Sequence, residues 1–200
     1  MNLNGKTIGF GLTGSHCTYA EVVPQIKRLK EAGARVIPIV SYTVQTTDTK
    51  FGEAAEWIAK IKEYSGEEEL IDSIVKAEPL GPSKLLDLMV IAPMTGNTTA
   101  RLANALTDSP VLMAAKATLR NLRPLVVAIS TNDGLGLNAM NVAKLLNTKH
   151  IFFVPFGQDS PETKSNSLVA RMELIKETCE LALEGKQLQP LIVEKYRYMN

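Results

Sequence analysis

The sequence predicts an α/β fold of the Rossmann-like, three-layer α/β/α class, built on a mostly parallel sheet. Three observations predict it. Short apolar runs alternate with stretches of helical periodicity along the chain. Several of those runs, among them residues 36–40 and 88–92, are apolar throughout, which suits strands covered on both faces. The loops that follow the runs are short and rich in hydroxyl, amide and glycine, and such sheets hold ligands beyond the carboxyl ends of their strands.

Residues 8–12 read as the first strand, Thr13, Gly14 and Ser15 as a tight turn, and residues 19–32 as a helix closed by Gly33. Residues 36–40 form the second strand; Pro38 cannot donate to a ladder and so favours an edge position. Residues 43–49 are polar and β-branched, a loop. In residues 51–64, Ala55, Ile58, Ala59 and Ile61 recur at helical spacing with Trp57 beside them, and Gly66 ends the helix. Glu67, Glu68 and Glu69 precede Leu70, Ile71, Ile74 and Val75, where acidic residues favour a helix N-terminus over a metal site.

Residues 79–82 are a turn, and residues 88–93 the third strong strand, followed by a helix through Leu102, Ala103 and Leu106. Pro110 opens another helix over residues 111–119, and Pro124 introduces a strand at 125–129. After a loop at 130–134 come a helix at 137–146, a strand at 151–154 and a polar loop at 156–167. A final helix spans 168–184, with Leu168, Met172, Ile175 and Cys179 on one face, which places Cys179 in the core.

Composition narrows the function. The 200 residues are 45% hydrophobic and 22% charged with a formal charge of +1, so one domain over 1–200 suffices and nothing basic points to nucleic acid. Cys17 and Cys179 have neither knuckle nor redox-pair spacing, so a reduced, cytoplasmic protein without bound metal is expected. The N-terminal residues lack the pattern of a signal peptide, and no stretch reaches the roughly 18 apolar residues of a membrane span. The tail from about residue 186, with Leu191, Ile192, Val193, Tyr196 and Tyr198, is apolar enough to pack on a neighbour.

Four loops meet the expected crevice: Thr13 to His16, Ser41 to Thr43, Pro93 to Thr98, and Ser130 to Gly134. Gly14 and Ser15 ahead of a helix, and Gly96 with Thr95 and Thr98, offer the backbone approach that a phosphate needs. Gly9 to Gly14 matches GxGxxG, but its first two glycines fall inside the strand, which makes it a poor dinucleotide fingerprint. His16 suits general acid–base work near pH 7, or a hydrogen bond at a helix start. Cys17 at the same helix start reads as a reactive thiol or a small buried residue. Of the arginines that follow the third strand, Arg101 is best placed to fork onto a carboxylate, with a surface ion pair as the alternative.

The segment from Val90 to Asn104, with Pro93, Thr95, Asn97 and Thr98, resembles the Pro-Ala-Ser/Thr-Ala-Asn-Thr motif of the homo-oligomeric flavoproteins that include cysteine decarboxylases and prenyl-FMN transferases. Thr13, Gly14 and Ser15 resemble the phosphate turn of that family. The resemblance covers essentially the whole chain and implies the flavoprotein, cysteine decarboxylase-like fold. It also implies FMN as cofactor: Thr13, Gly14, Ser15, Ser41 and Thr43 around its phosphate and ribityl chain, and Pro93, Thr95, Asn97, Thr98 and Ser130 nearer the ring or completing the cradle. A trimer or dodecamer is implied too, with residues 111–119 serving as interface or as core.

Residues 47–52 and 130–141 are similar to a branch of the family in spore-forming bacteria. That branch implies one component of a two-component oxidoreductase, active during sporulation beside an A-type partner that binds NAD(P). The implied reaction oxidises a dihydropyridine dicarboxylate to the aromatic pyridine, with His16 as acid or base and Arg101 on the substrate. The alternatives are another FMN-dependent reaction, decarboxylation or prenyl transfer, and a non-catalytic stabilising role. The decarboxylases carry a histidine after the second strand, and residues 43–66 have none, which argues against decarboxylation.

Overall fold

A computed structural model describes residues 3–194. In chain order the elements are β1 (Thr7–Leu12), α1 (Tyr19–Glu31), β2 (Arg35–Val40), α2 (Tyr42–Thr46), α3 (Ala54–Ser65), α4 (Ile74–Ala77) and α5 (Leu80–Ser83). Then follow β3 (Leu88–Met94), α6 (Gly96–Ala103), α7 (Pro110–Arg120), β4 (Leu125–Thr131), α8 (Ala139–Leu146), β5 (Ile151–Phe153), β6 (Phe156–Gly157), β7 (Leu168–Ala170) and α9 (Ile175–Leu183). Short 3-10 turns at His16–Thr18 and Met172–Leu174 lead into α1 and α9.

The sheet runs β2-β1-β3-β4-β7-β6, with β5 paired to the first half of β4. β1 to β5 pair in parallel, and β7 and β6 close the far side antiparallel. β3 is buried along its whole length, as a strand with helices on both faces must be. Side chains alternate across β1: Ile8, Phe10 and Leu12 are fully buried on one face, while Gly9 and Gly11 lie on the other. Glycine is required at position 11 because α7 comes so close; a Cβ there would stand 2.9 Å from Val111 Cγ1 and 3.0 Å from Met89 Cε. The three glycines of the GxGxxG spacing each meet a different neighbour: Gly9 faces Leu86 and Ile39, Gly11 faces α7, and Gly14 faces Thr43.

β2 lies at the edge, and Pro38 fits there without loss. Its carbonyl accepts from Ile71 N on the outer side, so its missing N–H also falls on that side, away from β1. Helix α7 belongs to the core: Val111, Ala114 and Ala115 are fully buried. Cys179 is fully buried in α9, and burial pushes its thiol pKa well above the ordinary range.

Four expectations need correction. The polar stretch after β2 is not all loop, since Tyr42–Thr46 forms the short helix α2. The three glutamates start no helix; Ile71 bridges to the β2 edge instead, and α4 begins only after Ser73, whose side chain accepts from Lys76 N at 3.3 Å. The polar loop after residue 155 contains the strand β6. Leu168 to Ala170 are not helical but form β7, whose Val169 pairs with Ser130 at the end of β4. The apolar spacing from Leu168 to Cys179 therefore belongs to a strand followed by a helix.

The early part of the tail pairs with its own chain. Phe156 N donates to Leu191 O and Val193 N to Phe156 O, while Gln187 bonds the backbone of Phe153. Tyr196 and Tyr198 lie outside the described residues.

Candidate functional site

β1, β2, β3 and β4 end at the same edge of the sheet, and their loops enclose a cleft of about 490 Å³. That lies in the range of roughly 300–1,000 Å³ common for small-molecule sites. The loops are bonded into one unit. Thr13 Oγ1 donates to Pro93 O at 2.6 Å and accepts from Thr95 N at 3.1 Å, tying the end of β1 to that of β3. Ser15 Oγ and Ser130 Oγ are 2.7 Å apart, joining the β1 loop to β4. Ser41 N donates to Leu12 O at 3.0 Å, fixing the β2 loop beside them. From behind, the buried Tyr19 hydroxyl donates to Thr13 O at 2.9 Å. Burial raises the Tyr19 phenol pKa well above its usual range, so the ring stays neutral and keeps donating.

Thr13, Gly14, Ser15, Ser41, Thr43, Thr95, Asn97, Thr98 and Ser130 all line the cleft, as does Arg101. At the start of α6, Thr95 is the N-cap: its Oγ1 accepts from Thr98 N at 3.2 Å and lies 3.0 Å from Thr98 Oγ1. Asn97 is exposed in the first turn of that helix. Arg101, one turn on, pairs with Asp108 through Nε at 3.6 Å on the exposed rim.

Two expected residues, Pro93 and His16, stand elsewhere. Pro93 is buried within β3 and reaches the site only through the carbonyl that accepts from Thr13, so as a lining residue it is corrected. Its position in the motif suggested the loop, but β3 runs on to Met94. His16 flanks the cleft without lining it: its ring packs on Tyr19 with centroids 4.9 Å apart, and its buried Nε2 has no hydrogen-bond partner among the described residues. Cys17 is not the small buried residue its position suggested: it is exposed, with Sγ 3.7 Å from Ser15 Oγ, and is not on the lining.

Sequence reasoning passed over Asp133 and Asn138. Thr131 Oγ1 donates to Asp133 Oδ1 at 2.6 Å, and Asn138 Nδ2 lies 2.9 Å from both carboxylate oxygens. The Thr131 hydrogen bond, then those from Asn138, lower the Asp133 pKa, so the carboxylate is ionised. The only hint in the sequence was an aspartate in a loop already marked as polar.

The cleft is lined mainly by hydroxyl, amide and glycine residues, with Arg101, Asp108 and Asp133 as its charged groups. Among the described residues, the β1 and β2 side of the cleft carries hydroxyls and no charged group, and Ser41 Oγ is buried there with no partner, a polar atom that a ligand would satisfy. Gly14 cannot readily be anything larger, because a Cβ would stand 2.8 Å from Thr43 Cγ2.

A cleft at the strand ends of a parallel sheet is where α/β proteins of this three-layer class hold their ligands, and comparison with known proteins gives the family. Residues 1–180 match the Flavoprotein family, and the chain belongs to that family. It is 62% identical to the B-type subunit of dipicolinate synthase from Bacillus subtilis (strain 168) over 196 residues, 98% of each chain. The crystal structure of the corresponding dipicolinate synthase chain from Bacillus halodurans is 66% identical and superposes with a TM-score of 0.90, covering 98% of this chain and 100% of that one. A dodecameric FMN-dependent UbiX-like decarboxylase from Escherichia coli O157:H7 shares the fold at 18% identity and a TM-score of 0.61, over 74% of this chain and 79% of that one.

Proposed function

We propose that this chain is the B-type subunit of a dipicolinate synthase: with an A-type partner that binds NAD(P), it oxidises dihydrodipicolinate to dipicolinate in the cytoplasm of a sporulating cell. The observation that carries the proposal is the 62% identity, spread over 98% of both chains, to the B-type subunit of dipicolinate synthase. The oxidation removes a hydride equivalent and a proton from the dihydropyridine, and NAD(P) on the A-type partner is the final acceptor. FMN, the cofactor proposed for the cleft, supplies when bound a ring able to take up and pass on that hydride equivalent.

The residues of this chain bind and orient. Thr13, Gly14, Ser15, Ser41 and Thr43 take the phosphate and ribityl end, with the orphaned Ser41 hydroxyl donating to the phosphate. Thr95, Asn97, Thr98 and Ser130 stand along the ring side. Arg101 receives a substrate carboxylate at the rim by exchanging it for Asp108. His16, next in the chain to the lining residue Ser15, is the proposed proton acceptor, and to act it must turn its ring from Tyr19 toward the cleft.

The active form is a homo-oligomer of the trimer or dodecamer type. Leu137 and Met140 at the start of α8 are 91% and 82% exposed, and Leu106 just beyond α6 is 51% exposed. Because α6 and α8 pack together, this makes an apolar surface beside the cleft, of the kind that marks an interface.

The test is to purify the chain alone and together with its A-type partner, and to assay dihydrodipicolinate oxidation with NAD(P). Activity that appears only on mixing, and falls on Ser41→Ala in step with FMN content, is expected. An A-type partner working at full rate alone would refute a catalytic part for this chain.

A further inference from the structure

Asp133 meets α6 where that helix begins. The side chains of Thr131, Asp133 and Asn138 fill the space that a Cβ on Gly96 would need, Asp133 Oδ1 being 2.9 Å from that position. The three are bonded to one another, so the carboxylate is fixed and charged against the first residue of the helix. A helix N-terminus otherwise draws anions through its free N–H groups and its dipole. Here that positive end already has a counter-charge. Across the cleft, Thr13, Ser15, Ser41 and Thr43 bring no charge, and the Ser41 hydroxyl is unpartnered. The one cation on the lining among the described residues, Arg101, is paired with Asp108. The cleft is therefore anionic at its α6 end and neutral, with a spare donor, at its β1–β2 end.

We propose that Asp133 is the specificity-determining residue that sets the polarity of the cleft: it reserves the space against Gly96, at the start of α6 and a turn before Arg101, for an uncharged, hydrogen-bond-donating part of the ligand and leaves the β1–β2 end for its phosphate. This rests on the reading of the cleft as a flavin site for its choice of ligand, though not for its electrostatics. It gives Asp133 a task that a merely structural clamp would not have. Removing the charge while keeping the shape opens the α6 end to a second anion, a gain of binding that damage to the loop would not produce.

The full chain is titrated calorimetrically with inorganic phosphate, as the parent and as Asp133→Asn, Asp133→Ser and Ser41→Ala, and separately with FMN and riboflavin. The parent is expected to bind one phosphate, and Ser41→Ala to lose it. Whichever Asp133 variant melts cooperatively is expected to bind phosphate about three- to tenfold more tightly, or at a second equivalent. Two phosphates in the parent, one that survives Ser41→Ala, or a folded Asp133 variant that binds no better than the parent overturns the proposal. A parent that binds neither FMN nor riboflavin, with the phosphate results as expected, removes the flavin reading and leaves the polarity of the cleft standing.

Discussion

Replacing Gly96 by alanine adds one methyl group at the contact between α6 and the β4 loop. In a helix alanine is favoured over glycine by roughly 1 kcal/mol, so at an open site the change would stabilise. Position 96 is not open. The new Cβ would lie 2.6 Å from Thr131 Oγ1 and 2.9 Å from Asn138 Nδ2 and Asp133 Oδ1. Those atoms hold one another at 2.6 and 2.9 Å, so none can withdraw without giving up a bond to the carboxylate. Such bonds contribute roughly 1.5–3 kcal/mol each; losing one or two outweighs the helix gain and leaves a net loss of about 2 kcal/mol. For a chain of this size that lowers Tm by about 4–8 °C. Urea melts of the parent, Gly96→Ala, Asp133→Ala and the double variant measure it. In the Asp133→Ala background the cost of Gly96→Ala is expected to drop by about 1 kcal/mol or more. A Gly96→Ala protein as stable as the parent would refute the clamp, because the steric argument leaves no room for it.

Other outcomes follow from the same geometry. Asp133 has its pKa lowered by Thr131 and Asn138, so its contribution is present above the unfolded value of about 3.9 and is lost as pH falls through the lower folded value; acid melts of Asp133→Asn are expected to show a shallower loss of stability below about pH 4 than the parent. Tyr19 has its pKa raised by burial, so its contribution is full below about pH 10 and lost as pH rises through the higher folded value. Ultraviolet titration is expected to find one tyrosine that ionises only on unfolding, and Tyr19→Phe to lack that step while losing about 1 kcal/mol with the bond to Thr13 O. Leu137→Glu with Met140→Glu places charge on the exposed apolar surface and is expected to lower the oligomeric state in sedimentation while leaving the fold unchanged.

The strands that carry the cleft were legible because each is a local signal. β1, β2, β3 and β4 are unbroken apolar runs ended by polar turns, and α7 declares itself by Pro110 at its first position, with Ser109 capping Leu112 N at 3.2 Å. β7 was not legible. Three apolar residues in register with the following helix look helical, and only their antiparallel pairing with the end of β4 on one side and β6 on the other makes them a strand. The triple glutamate misled for a similar reason, since the extended edge of β2 captures Ile71 before a helix can start.

At the site, the loops could be named in advance because strand ends in a parallel sheet share an edge. Asp133 could not, because its contact with Gly96 spans two loops that only the closed sheet brings together. Pro93 failed for the opposite reason: its motif was recognised, but β3 extends one residue past it and buries its ring.

The uncharged hydroxyl pocket around Ser41 is proposed to hold the phosphate of a flavin. Equilibrium dialysis of the purified chain against FMN and riboflavin tests it most directly. About one FMN per chain, bound at least tenfold more tightly than riboflavin, with that preference lost in Ser41→Ala, is the predicted result. A chain that retains no FMN, or holds riboflavin equally well, would contradict it.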